Sequence, residues 1–332
     1  MDPDADARKR FIKAMETVYG PFDSLTLEQT AEWMPPSNPG AGGHRGRYLW
    51  TDAFGVVNFV TLYTETSDER YLHLAKRLVT AVHDILGSKR DGSGRLDGAT
   101  DEEPLKGGLR IGKMSASGMD GDGQYHHYLT LWMFALNRVS VASGERSYND
   151  LAIELAEAIH ARFVTRATVA SQPRMVWKVS TDMKTVLVPS EGHLDAATGF
   201  AVFKLLRDTA HRQRKGKGKG QDRTLYGEIQ EYAAVTARSR FFTPSADPLD
   251  LGMGLWVSQF CDDEDGASWA DEYRGDALLQ AAEVVPQLIL LGERDPAGAR
   301  MRLAFREFGL CLGVGCVEAD ERLRMWRFDE GI

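Results

Sequence analysis

Long apolar runs are missing from this sequence. No stretch of about eighteen apolar residues occurs, the length a helix needs to cross a bilayer, so no membrane span is expected. Cysteine is scarce: Cys261, Cys311 and Cys316 form an odd, sparse set, which argues against a disulfide framework and fits a reducing compartment. Cys311 and Cys316 stand in the apolar stretch FGLCLGVGCV, where free thiols are expected as small buried core residues. A surplus of positive charge is also lacking. Forty Lys and Arg against 48 Asp and Glu give a net charge of −8, which denies a nucleic-acid partner its electrostatic support and fits a neutral or cationic ligand. The N-terminal MDPDADARKRFIKAM contains no apolar h-region, so no secretory signal is expected in it and the expected location is cytoplasmic.

Several chemistry-bearing motifs are absent too. There is no Walker A loop, no Rossmann glycine fingerprint and no zinc-spaced Cys/His set, so neither cofactor nor metal is expected. GDGQ (121–124) and GKGKG (216–220) are too short or too basic to serve as specific phosphate loops. Gly-x-Ser-x-Gly is missing, which removes the usual α/β-hydrolase nucleophile elbow. His126 and His127 are adjacent, and neighbours on a helix face different ways, so they are not expected to share a metal.

What the chain does have is a repeat. Ser67-Asp68-Glu69-Arg70-Tyr71-Leu72-His73-Leu74-Ala75 matches Gly144-Glu145-Arg146-Ser147-Tyr148-Asn149-Asp150-Leu151-Ala152 at a constant offset of 77. A weaker third copy begins at Gly292-Glu293-Arg294-Asp295. In each copy a small residue precedes acids, which favour a helix start through capping and the macrodipole. The following helices are amphipathic, with Tyr71, Ala75, Leu78, Val82 and Ile85 on one face, and Leu151, Leu155, Ile159 and Phe163 on the other copy's face.

The segments before these helices are apolar nearly all round: 53–63, 128–136, 196–206 and 251–260. A helix apolar on every side is buried on every side. The order is therefore buried helix, short turn, amphipathic helix, longer loop. Stacked in a ring, such pairs make an all-α fold, an (α/α)6 toroid with buried helices inside and amphipathic ones outside. Residues 5–18 and 24–33 are expected as N-terminal helices, 225–242 as an outer helix, and 269–291 and 297–310 as further helices broken or kinked at Pro286. A small β-hairpin is expected at 175–188, and 214–220 (RKGKGKG) reads as a basic loop. The Gly-rich stretches 38–46 and 87–123 are long loops of the kind that often carry function. The whole chain, 1–332, is read as one α/α-barrel domain: 1–43 N-terminal helices and a Gly/Pro-rich lead-in, 44–310 the hairpin repeats, 311–332 a C-terminal segment.

An acid precedes or opens each buried helix: Asp52, Asp122, Asp195 and Asp250, at spacings of 70, 73 and 55. In a ring whose inner helices start at one end, these acids converge on one mouth. Two readings are open for each. Asp is a good N-cap, and recurrence at hairpin starts is what capping predicts. The neighbours point the other way, since Trp50, Tyr125, His126, His127, Glu191 and His193 cluster at the same starts and a cap needs no aromatic ring beside it. Carboxylates bond hydroxyls and do acid–base work, while aromatic faces stack on the apolar faces of sugars. Arg45, beside His44 on the Gly-rich loop, is placed to reach over the mouth toward an anionic group, and Trp256 adds an aromatic ring on the last buried helix.

The turn small/acidic-x-x-Tyr-x-x-Leu-Ala at 67–75 and 144–152, with acid-led apolar helices, resembles the six-hairpin glycosidase-like superfamily over residues 44–310. Its members share an (α/α)6 barrel and include unsaturated glucuronyl hydrolases and other glycosidases; N-acylglucosamine epimerases have a similar toroid. The chain is short for six hairpins, so a sixth is assembled from both termini or is incomplete. In the glucuronyl hydrolases the two working residues are aspartates at inner-helix starts one hairpin apart, which the resemblance carries onto Asp122 as acid/base and Asp52 as its partner. It implies a carbohydrate-active enzyme, a glycoside hydrolase on a small-molecule or oligosaccharide ligand bound by Trp50, Tyr125, His126, Glu191, His193, Asp195, Arg45 and Trp256. Two other readings stand beside it. One is an isomerase or cyclase on an apolar, terpene-like molecule, for which Asp262-Asp263-Glu264-Asp265 is a faint aspartate-rich motif. The other is a non-catalytic ligand-binding toroid. The sequence leaves the oligomeric state open.

Overall fold

The repeated turn works because two helix ends are specified within two residues. In the computed structural model of the chain, which describes residues 3–36, 46–116, 118, 121–166, 168, 171–214, 223–238, 243–261, 269–294 and 304–317, α3 (Leu49–Thr66) runs into α4 (Glu69–Leu86). In the same way α5 (His126–Ser143) runs into α6 (Arg146–Phe163). Ser67 and Gly144 end the first helix of each pair in the left-handed region, at φ 56° and 73°. Asp68 and Glu145 then occupy the N-cap of the second. The Asp68 carboxylate accepts from the Arg70 backbone N–H at 3.0 Å and from its guanidinium at 2.7 Å. Glu145 makes no side-chain cap bond; its peptide is held by Ser143 Oγ and Ser140 Oγ instead. The supposed third copy is not a turn, because Gly292–Arg294 continue a helix.

Packing follows the periodicity. The second helix of each pair buries one face: Tyr71, Leu74, Ala75, Leu78 and Val82 in α4, and Ala152, Leu155, Ile159 and Phe163 in α6. Each buried Leu, Val, Ile or Phe among them contributes about 1.5–3 kcal/mol of hydrophobic stabilisation, and each Ala less. The first helices are covered more completely. Twelve of the eighteen residues of α5 are buried, which is what apolarity on all sides requires. Among its buried polar residues, Asn137 is satisfied by Asn149 of α6 at 2.7 Å and by Thr209 of α7 (Asp195–Gln213) at 2.9 Å, so one amide ties three helices.

The fold is all-α, with eleven helices among the described residues and two small antiparallel sheets. The N-terminal helices are α1 (Pro3–Tyr19) and α2 (Leu27–Glu32), and Tyr19, Phe22 and Trp33 of this region pack their rings around Phe59 of α3. Strand β1 (Gln124–Tyr125) leads straight into α5; β2 (Val164–Thr165) pairs with β3 (Arg174–Met175); β4 (Lys178–Val179) and β5 (Val186–Val188) form the expected hairpin, with β4 also pairing β1. The long stretch before β1 is packed rather than open, burying Leu96, Leu105, Leu109 and Ile111.

The backbone groups into two compact units, 1–191 with 202–229, and 192–201 with 230–332. The second contains the start of α7, the end of α8 (Tyr226–Arg238), α9 (Pro248–Ser258), α10 (Trp269–Arg294) and α11 (Ala304–Gly315). Helix α10 runs through Pro286 without ending there. Helices α9 and α11 meet backbone to backbone, since a Cβ on Gly252 or Gly313 would overlap the other helix's main chain. That contact corrects the expectation for the thiols. With Gly309, Leu310 and Gly313 turned toward α9, Cys311 falls on the opposite side and is exposed, and Cys316 is half-buried; Cys261 alone is in the interior. No helix among the described residues is long and apolar enough to cross a membrane.

Candidate functional site

The two aspartates expected to carry the chemistry are both bound up in ion clusters. Asp52 is 0 % exposed in the first turn of α3. Arg47 grips it bidentately, Nε to Oδ1 at 2.8 Å and Nη2 to Oδ2 at 3.0 Å, and Tyr19 Oη donates to Oδ1 at 3.2 Å. Burial and the Asp52 charge together push the Tyr19 phenol well above its ordinary pKa. Asp122 is 2 % exposed and meets four donors: Arg90 Nη1 at 2.8 Å and Arg110 Nη1 at 2.9 Å on Oδ2, and the backbone N–H groups of Gly112 at 3.0 Å and Lys113 at 3.3 Å on Oδ1. A carboxylate has about four lone-pair sites, so Asp122 has no acceptor capacity left to offer a substrate. Arg110 also donates to the carbonyls of Ser88 and Ile85, which makes this cluster the knot that fastens the long loop to the end of α4.

Nor do the acids serve as caps. The N-cap residues of α3, α5 and α9 are Tyr48, Tyr125 and Asp247, and Asp195 is the first residue of α7. Asp247 does the capping expected of Asp250, accepting from the N–H groups of Leu249 at 3.0 Å and Asp250 at 3.2 Å.

Released from capping, Asp250 turns to other partners. His193 Nδ1 lies 2.5 Å from its Oδ2, and both side chains are partly exposed. An ionised carboxylate only accepts, so this contact places a proton on His193 Nδ1. Asp195 lies close enough for the Asp250 charge to act on it. It is 4 % exposed, and burial first and Asp250 second push its carboxyl up to about 7. The backbone at Gly192 comes up against this carboxyl group; a Cβ there would sit 2.5 Å from Asp195 Oδ2. Tyr273, from α10, completes the group. Burial and the Asp250 charge raise its phenol as well, and its hydroxyl occupies the space a Cβ on Gly254 would need. These residues all belong to the second unit.

The glycines reveal a pattern that spans both units. Asp52 is followed one turn later by Gly55, Asp195 by Gly199 and Asp250 by Gly254. Over each glycine lies a tyrosine from another helix: Tyr19 over Gly55, Tyr232 over Gly199 and Tyr273 over Gly254. Removing the Cβ lets an aromatic ring reach the first turn of an acid-led helix.

In the first unit, the starts of α3 and α5 bring aromatic rings together. Trp50 meets His127 at 5.5 Å and Tyr128 at 5.3 Å between centroids. Tyr125 stacks on Trp177 at 5.1 Å and on His127 at 5.4 Å. Trp177 Nε1 donates to His127 Nδ1 at 3.1 Å, which fixes the neutral Nε2–H tautomer; desolvation independently pulls this imidazole well below its ordinary pKa. Trp50, His127, Tyr128 and Trp177 are partly exposed, while Tyr125 is buried.

The other expected site residues disperse. His126 is buried against Phe163. Glu191 accepts from the Met175 N–H at 3.0 Å, bracing β3. Trp256 packs on Phe260, one helix turn on. Arg45 and the acidic run 262–265 lie outside the described residues. Among the described residues no three His, Cys, Asp or Glu side chains are grouped to hold a metal ion. Sequence reasoning did not single out Tyr273, Tyr128 or Trp177; of these only Tyr128 carries a local signal, its place beside Tyr125 and His127. No family model matches the chain, and no curated protein does.

Proposed function

We propose that this chain is a carbohydrate-active hydrolase whose acid–base chemistry is carried by Asp195 and the Asp250–His193 pair. The observation that carries the reading is the separation of roles between two neighbouring carboxyl groups. One is buried and pushed up to about 7, and the other is partly exposed and held by an imidazole. Giving two neighbouring acids different environments is how a site keeps one as proton donor. In glycoside hydrolysis the Asp195 proton passes to the leaving glycosidic oxygen as its bond to the anomeric carbon breaks. Water adds to that carbon and gives its proton to the Asp250–His193 pair. The substrate class rests on the resemblance of the hairpin turns and acid-led helices to six-hairpin glycosidases. Asp52 and Asp122 take structural parts in this reading.

The test is hydrolysis of a panel of aryl glycosides and unsaturated oligosaccharides by the wild type, Asp195→Asn and Asp250→Asn. Each substitution should lower kcat by about 10²–10⁴-fold. The wild-type rate should fall as pH rises through about 7, because the acid must carry its proton. Full activity in Asp195→Asn would sink the assignment.

A further inference from the structure

We infer that Arg138 and Arg212 form a binding site for a phosphate group, carried by inorganic phosphate or by a small phosphomonoester. Both arginines belong to the first unit and neither enters the acid–base reading, so the inference stands apart from it.

The site is built from the inside outward. Asn149 of α6 donates from Nδ2 to the Leu206 carbonyl at 3.1 Å. That fixes its amide and leaves Oδ1 to accept from Asn137 Nδ2 at 2.7 Å. Asn137 Nδ2 spends its other hydrogen on Thr209 Oγ1 at 2.9 Å, so Asn137 Oδ1 points away from both partners. There it meets Arg138, whose Nε donates to it at 3.0 Å and whose Nη2 donates to the same oxygen. Arg212 Nη2 donates to Thr209 Oγ1 at 3.1 Å. Asn137, Asn149 and Thr209 are all buried. One interior amide and one interior hydroxyl thus hold two guanidinium groups, and a backbone carbonyl sets the direction of the whole chain. Supports of this kind fix a binding group before its ligand arrives.

Two positive charges are brought together here without an acid. Among the described residues neither guanidinium meets a carboxylate, whereas Arg47, Arg90 and Arg110 are each matched by one. Arg138 is half-buried, and burial first and the Arg212 charge second lower its pKa. A cation in the last turn of α7 suits the helix macrodipole, which explains Arg212 alone. Arg138 lies more than a turn before the end of α5, where that effect has faded. An anion shared by the two arginines removes their repulsion.

The free donors choose the anion. Arg138 rests on Phe134, its Cζ 5.3 Å from the ring centroid, and its Nε and one Nη2 hydrogen are taken by Asn137. Its whole Nη1 group stays available, as does most of the exposed Arg212 guanidinium. A carboxylate offers two oxygens and a single charge. A phosphomonoester offers three acceptor oxygens and roughly two negative charges at neutral pH, which matches two guanidinium forks.

The experiment uses full-length protein in phosphate-free buffer at constant ionic strength. Inorganic phosphate, glucose 6-phosphate, acetate and an oligothymidylate are titrated in turn, with Kd read by calorimetry and Tm by thermal melts. Inorganic phosphate or glucose 6-phosphate should bind saturably and raise the Tm. The tighter of the two identifies the source, free ion or ester, and either supports the site. Arg138→Gln and Arg212→Gln should each weaken that binding by about tenfold or more, the loss of one charge-assisted contact. Arg207→Gln, whose guanidinium pairs with Asp208 on the same helix, should bind as the wild type does. Without phosphate, Arg212→Gln should melt no lower than the wild type, because it relieves a like-charge contact. A lower Tm there would mark the pair as structural and overturn the inference. It is also overturned if neither phosphate probe binds, if binding survives both substitutions, or if acetate or oligothymidylate binds more tightly. Asp195→Asn should bind phosphate as the wild type does, so the phosphate site and the acid–base reading stand or fall separately.

Discussion

Asp195→Asn should stabilise the protein, and increasingly so as pH rises from about 4 to about 7. The carboxyl rises from an ordinary 3.8 to about 7 on folding, chiefly because it is taken out of water. The folded state therefore holds a proton that the unfolded chain has already released, and stability must fall as pH rises from about 4 to about 7. At 1.36 kcal/mol per pH unit, the full cost above pH 8 is roughly 4 kcal/mol, of which roughly 1.6 has accrued by pH 5. An asparagine keeps the shape and never ionises. Urea denaturation followed by tryptophan fluorescence should show the variant gaining on the wild type by roughly 2.5 kcal/mol more at pH 8 than at pH 5. In thermal melts of this 332-residue chain that is roughly 3–4 °C. Asp250→Asn should reproduce the lesser part of the effect, because the Asp250 charge is the second cause and burial the first. Identical pH dependence in wild type and Asp195→Asn would refute the reasoning, since no buried, raised carboxyl would then exist at this position. A confirmed gain coupled to lost turnover would mark Asp195 as a group kept at the expense of stability.

Three other outcomes test the remaining geometry. Arg47→Leu strands Asp52, which has 0 % exposure, and should lower unfolding free energy by about 3–5 kcal/mol in urea; a loss under about 1 kcal/mol would show that the pair is not buried as described. Asp122→Ala unties Arg90, Arg110 and two backbone N–H groups, so trypsin should cut between residues 88 and 116 at least tenfold faster than in the wild type, and an unchanged digestion rate would refute the knot. Thiol titration of the native protein should modify Cys311 first and Cys316 more slowly, with burial of its thiol raising its pKa, and Cys261 only on unfolding; protection of Cys311 would restore the buried-thiol expectation.

The hairpins were legible because their determinants are local. A left-handed residue and an acidic cap sit side by side at 67–68 and again at 144–145, and the apolar helices betray their burial by composition alone. The sequence left capping open for each acid because it depends on where a helix begins to within one residue. For Asp250 the structure closes the question: Asp247 takes the cap three residues earlier, and Asp250 is left as a partner for His193. The tyrosines over the glycines were not legible at all, since Tyr19 and Gly55, Tyr232 and Gly199, and Tyr273 and Gly254 lie 19 to 36 residues apart with no local pattern joining them.

One discriminator was present in the sequence and physically interpretable. The three acids followed by a tyrosine-covered glycine are alike until the chain is read backwards. Five residues before Asp52 stands Arg47, whereas five before Asp195 and Asp250 stand Ser190 and Ser245. Five residues is the span that lets the Arg47 guanidinium fold back over the first turn of α3 and take both oxygens of Asp52. A serine at that position has neither the reach nor the charge. At Ser245 the hydroxyl instead accepts from the Asp247 N–H at 3.0 Å, helping to set the residue that caps α9. One scaffold element, an acid at a helix start with a glycine one turn later, is thus clamped by an arginine at Asp52 and lacks that arginine at Asp195 and Asp250. In the function proposed for this chain, the acids that transfer protons are the two without the arginine.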